Sequence, residues 1–124
     1  MSTQINQYVI YGINLPYQFH KDWEKANPEK GDWYENFEKF ENDSAFTDKI
    51  NHHDGIFCLF DGCNGNYIII GRVLEKTDDH GYIQGPTCFQ EPTEMEKEFI
   101  GNSITRNFGI DKPDMKIWFV TQYR

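Results

Sequence analysis

The feature that most constrains this chain is a pair of apolar runs separated by one short, glycine-rich break. Residues 55–60 read GIFCLF and residues 66–76 read NYIIIGRVLEK. Between them lies Asp61-Gly62-Cys63-Asn64-Gly65, where Asp-Gly and Asn-Gly both favour the positive φ of a tight reversal. β-Branched and aromatic residues on both sides of such a turn predict a β-hairpin. Gly71, inside the second run, is expected to mark a bulge or a bend. An isolated hairpin is marginal in water, so further strands or a helix must complete it.

The segments on either side supply them. Residues 7–15 (QYVIYGINL) are β-branched and aromatic and end at Pro16, which predicts a first strand. Val9, Tyr11, Ile13 and Leu15 share one face, and Tyr8 and Ile10 the other. Both faces are apolar, so the strand is expected at the centre of a sheet, with Gly12 allowing a close backbone approach. A helical turn is expected around Phe19 and Trp23, ending at Asn27-Pro28. Asp32 and Glu35 have capping-box spacing, and Trp33, Phe37 and Phe40 then recur at helical intervals, which predicts a helix over 32–42. Residues 43–54 read as a loop with a helical turn near 45–49. Residues 77–91 read as a long loop, with a short strand at Tyr82-Ile83. Thr93 and Glu96 form a second capping box, and Met95, Phe99, Ile100, Ile104 and Phe108 give a helical stripe. Gly109 is placed to end that helix, and a final strand is expected over 115–122.

The order β-α-β-β-α-β over one 124-residue domain predicts an α+β, ferredoxin-like sandwich: an antiparallel four-stranded sheet with two helices on one face. Phe occurs 10 times and Tyr 7 times, so large rings are expected to build much of the core.

Charge narrows the function. The formal net charge is −8, and the acid excess is densest over 21–54, with ten acids against five bases. Direct nucleic-acid binding needs a basic patch and is not expected, and neither is an anionic membrane surface. A partner with a basic surface is compatible with this charge. The three cysteines do not make a disulfide framework, and no signal-peptide pattern opens the chain, so a cytoplasmic location is expected.

Candidate chemistry is sparse. Asn51-His52-His53-Asp54 is the densest polar cluster, with His20 and His80 as further imidazoles, but no zinc-protease spacing is present. Cys58-x4-Cys63 lacks a second pair, and Cys58 reads as a buried strand residue. Asp61, Glu75, Asp78 and Asp79 gather near the hairpin and the loop after it. No catalytic residue, metal site or cofactor is assigned. The alternative to a binding protein is a small-ligand or nucleotide binder, or an enzyme, with its site near His53, Asp54, Asp61 and loop 77–91. A virion or assembly component is a third reading.

The acidic helical segment offers a different kind of site. Glu35, Glu38, Glu41 and Asp43 can present a row of carboxylates to a basic groove, with Trp23, Tyr34 and Tyr82 as aromatic anchors. Three stretches, DGIFCLFDGCNGNYIIIGRVL (54–74), DWYENFEKFEN (32–42) and MKIWFVTQY (115–123), give the chain a general look that resembles small acidic accessory proteins of tailed bacteriophages. That resemblance implies a non-catalytic inhibitor of a host enzyme or defence complex, of the anti-CRISPR or anti-restriction type.

Overall fold

In the computed structural model, residues 5–41, 50–61, 65–77 and 88–123 are described. The first strand, β1 (Ile5–Leu15), is the longest of four. It is followed by α1 (Phe19–Ala26), α2 (Trp33–Phe37), β2 (Phe57–Phe60), β3 (Ile68–Lys76), α3 (Glu94–Phe108) and β4 (Lys116–Tyr123). The strands form one antiparallel sheet in the order β2-β3-β1-β4. The fold is therefore mixed α+β, with a four-stranded sheet and three helices.

β1 sits between β3 and β4, as its two apolar faces require. Tyr11 and Ile13 belong to one buried cluster, Tyr8 and Ile10 to another. The first cluster also takes Trp33, Phe37 and Phe40 from the α2 region and Ile100, Ile104 and Phe108 from α3. Rings dominate it: Trp33 and Phe37 lie 4.3 Å apart, Phe37 and Phe108 4.5 Å. The second cluster joins Phe57, Leu59, Ile69 and Val73 to Tyr8 and Ile10.

The hairpin forms between β2 and β3, with Phe57 opposite Gly71 and Phe60 opposite Ile68. Asp61, buried at its turn, accepts from the Asn66 amide at 3.0 Å. Gly71 does not carry the expected bulge. The register shift falls further along, where Val9 pairs with Glu75 but Ile10 with Val73, leaving Leu74 as the extra residue. Gly71 instead lies opposite Gly12, and a Cβ built on Gly12 would stand 2.6 Å from the Gly71 Cα. The two glycines let the central backbones meet.

Two helical expectations change. The turn at Phe19 and Trp23 is a full eight-residue helix, α1, so there are three helices rather than two. The helix expected over 32–42 is shorter: α2 stops at Phe37 and continues as one 3₁₀ turn over Glu38–Phe40. Tightening that turn still buries Phe40, at 1% exposure. α3 matches its boundaries, with a complete Thr93–Glu96 capping box and Gly109 left-handed at φ 72°. The expected turn near 45–49 and the strand at Tyr82-Ile83 lie outside the described residues.

Candidate functional site

The α1–α2 segment is fastened at its inner side. Asp32 caps α2 by accepting from the Glu35 amide at 2.7 Å. Glu24 of α1 reaches across and accepts from the Trp33 amide, also at 2.7 Å. These two carboxylates satisfy amides that the start of a helix leaves unpaired, where negative charge is favoured. Beneath them Trp33 and Phe37 are buried.

The outer side carries the charge. Asp22, Glu29, Asp32, Glu35 and Glu38 are exposed, interspersed with exposed Lys21, Lys25, Lys30 and Lys39. Tyr34 stands 61% exposed next to Glu35, while Trp33 on its other side turns inward. Glu41 departs from this row. It is half-buried, and its charge reaches Cys58. Burial pushes the Cys58 thiol well above its usual range, and Glu41 adds to the rise. Asp43 and Tyr82 lie outside the described residues.

Trp23 is half-buried. Its ring stands edge-on to Trp33 and Phe37, at centroid distances of 6.0 and 4.8 Å. The remaining side of the ring lines a groove of about 430 Å³ between α1 and the end of α3, together with Asp22, Lys30, Arg106 and Phe108. An aromatic ring, an acid and two cations thus share the lining of this groove, although Arg106 also pairs with Asp54.

The Asn51–Asp54 cluster is bound into the fold. The Asn51 side chain exchanges two hydrogen bonds with the Val73 backbone, at 2.8 and 2.9 Å, and so extends the edge of β3. His53 stands edge-on to Phe40 at 4.8 Å. Asp54 Oδ2 accepts from Arg106 Nη2 at 2.5 Å and from Asn107 Nδ2 at 2.6 Å, and Ser103 donates to the Asp54 carbonyl. His53 and Asp54 precede β2 and Asp61 follows it, so the structure places them at opposite ends of that strand. Among the described residues, no group of three His, Cys, Asp or Glu side chains is placed to hold a metal ion. No described helix is long and apolar enough to cross a membrane.

Sequence reasoning missed an exposed apolar pair on α3. Met95 is 82% and Phe99 46% exposed, amid exposed Glu94, Glu96 and Glu98. Both had been counted in the core stripe of α3. The helical angle explains the departure: nine residues separate Met95 from buried Ile104, which is about half a turn around the axis. Phe99 stays partly covered because Arg72 lies over its ring at 5.7 Å. Hydrogen bonds from Thr93 hold the neighbouring Glu96 carboxyl below its usual range, with Arg72 adding to them. No family model, curated protein or solved structure matches the chain.

Proposed function

We propose that this protein is a non-catalytic, protein-binding inhibitor that occludes a basic, nucleic-acid-handling host or defence protein, with the α1–α2 surface as its docking face. The observation that carries the reading is Tyr34. It is a large ring, 61% exposed, beside exposed Asp32, Glu35 and Glu38, on a segment pinned beneath by Trp33 and Phe37. A rigid aromatic anchor loses little conformational entropy on binding, and the carboxylates around it steer a basic partner into contact. Glu41 and Trp23 contribute less, since one is half-buried and the other packs on the core.

The resemblance to bacteriophage accessory proteins supports the anti-defence role, and with it the host cytoplasm as the site of action. The antiparallel order β2-β3-β1-β4, with β2 and β4 at the edges, supports reading the scaffold as a ferredoxin-like sandwich.

The test is a bacterial-lysate capture with tagged parent and with a Tyr34→Ala, Glu35→Lys, Glu38→Lys variant. The captured protein is purified, and its binding to duplex DNA is measured with each form. The parent is expected to weaken that binding by at least tenfold or so, the variant not. Unchanged DNA binding with the parent, or equal inhibition by the variant, would show the reading to be wrong.

A further inference from the structure

α3 faces two ways. Ile100, Ile104 and Phe108 enter the core, while Met95 and Phe99 point outward at 82% and 46% exposure. At about 100° per residue, the outer side chains follow one another around the axis as Glu94, Glu98, Met95, Phe99 and Glu96, over about 200°. An apolar ridge one turn long therefore runs between two rails of carboxylate.

The helix accounts for only part of these rails. Glu96 completes the capping box, and Glu94 belongs to the first turn, where the helix dipole favours an acid. Glu98 lies beyond that turn. It stands four residues from Glu94, a like-charge spacing that destabilises a helix. It is exposed and has no ion-pair partner among the described residues. Lys97, the one cation between Glu94 and Phe99, turns towards Tyr11 and lies over that ring at 5.8 Å. It bonds Glu91 at 3.0 Å and meets Glu94 at 3.6 Å.

The chain itself shows what chemistry the ridge accepts. Arg72 lies over the Phe99 ring at 5.7 Å and 3.4 Å from Glu96, so one guanidinium takes the ring and a rail together. On the opposite rail Glu98 has no such cation.

We propose that the Met95–Phe99 ridge docks a basic amphipathic helix of a partner protein. Its apolar stripe lies on Met95 and Phe99, and its lysines or arginines lie along Glu94 and Glu98. Anchors at i and i+4 form the ridge by which two helices pack side by side. The flexible Met95 thioether fits side chains of varied shape. Charge selects this occupant. A second copy, at −8, would bring acids against acids, and nucleic acid or an anionic membrane is repelled in the same way. A purely apolar segment would leave Glu98 facing it unpaired. The surface stands apart from the α1–α2 face and does not rest on it. It is the other end of α3 that borders α1, at Arg106 and Phe108, about 16 Å along the axis from Met95.

The probe is a synthetic peptide of leucine and lysine, with leucine at i, i+3, i+4 and i+7, titrated calorimetrically into the full chain. It is expected to bind with a Kd below about 100 μM, and a scrambled peptide of the same composition at least about tenfold more weakly. Met95→Ser should weaken the ordered peptide at least about fivefold. Glu94→Gln with Glu98→Gln should weaken it at least about tenfold and flatten its salt dependence. All three positions are exposed, so the circular dichroism of these chains should match the parent. A Tyr34→Ala, Glu35→Gln, Glu38→Gln chain loses the same two charges from the α1–α2 face and should bind the peptide as the parent does. A parent chain that does not bind overturns the proposal. So does equal binding of the scrambled peptide, or unchanged binding by Met95→Ser. A loss in the α1–α2 chain as large as in Glu94→Gln, Glu98→Gln overturns it too, because binding would then follow net charge or the other face.

Discussion

Replacing Asp54 probes how the segment before β2 is held to α3. One carboxylate oxygen of Asp54 accepts from Arg106 Nε and Nη2 and from Asn107 Nδ2. The backbone there is left-handed, with φ at 52°, a conformation that Asn and Asp adopt more readily than Ala. A hydrogen bond to a charged group contributes about 1.5–3 kcal/mol. Arg106 is 56% exposed and can return to water, so the clamp as a whole is taken at the lower end, about 1.5 kcal/mol. Asp54→Ala loses the clamp and adds about 1 kcal/mol of left-handed strain, for a total near 2.5 kcal/mol. Asp54→Gly removes the strain and leaves a loss of about 1.5 kcal/mol, and Asp54→Asn, which keeps one acceptor, about 1 kcal/mol. Urea unfolding at neutral pH measures the series.

The same variants carry a pH signature. Burial is the largest single influence on the Asp54 carboxyl and pushes its pKa up. Hydrogen bonds from Arg106, Asn107 and Ser103, with the Arg106 charge, outweigh it, and the net shift is downward. A carboxyl with a depressed folded-state pKa contributes stability that is present above the unfolded pKa, about 3.9, and is lost as pH falls through the folded value. The gap between parent and Asp54→Asn should therefore narrow below about pH 4. A loss for Asp54→Ala under about 0.5 kcal/mol, or an equal gap at neutral and acid pH, refutes the reasoning.

Two further substitutions read the sheet. Gly71→Ala drives a methyl group into the Tyr11 carbonyl of the neighbouring strand, so a loss above about 3 kcal/mol is expected in chemical denaturation. A loss below about 1 kcal/mol would mean the strands can part at little cost. Asn6 is 1% exposed, and neither of its amide atoms has a hydrogen-bond partner among the described residues. Asn6→Val removes both unpaired atoms and adds a β-branched side chain to β1. It should raise stability by about 1–2 kcal/mol, and a lower melting temperature would contradict this.

Much of the scaffold was legible because its signals are local. Thr93, Glu96 and Gly109 mark the ends of α3 through groups within one turn of each terminus. The central place of β1 followed from apolar residues on both its faces, since a strand can bury two faces only with neighbours on both sides. The failures have equally specific causes. The register shift at Leu74 was assigned to Gly71, because a glycine in a strand signals either a bulge or a close approach, and only the pairing with Gly12 distinguishes them. α1 was underestimated because it buries no residue fully and is held by Glu24 and Trp23 acting on α2.

The candidate surface divides along the same line. Exposed Glu35, Glu38 and Tyr34 followed from the 3.6-residue period that turns Trp33 and Phe37 inward. Glu41 sits beyond the last α-helical residue, past the 3₁₀ turn, where that period no longer applies, and it is half-buried with its charge felt at Cys58.

By itself the sequence determined the four strands, two of the three helices, their order, the inward Trp33, Phe37, Ile100, Ile104 and Phe108, and the acidic composition. Those properties arise from interactions among residues a few positions apart. Only the tertiary structure decided that Asn51 and Asp54 are fasteners and that Met95, Phe99 and Phe119 face outward. Each of those depends on partners far away in the chain, such as Val73 for Asn51 and Arg106 for Asp54, and no local pattern records such a meeting.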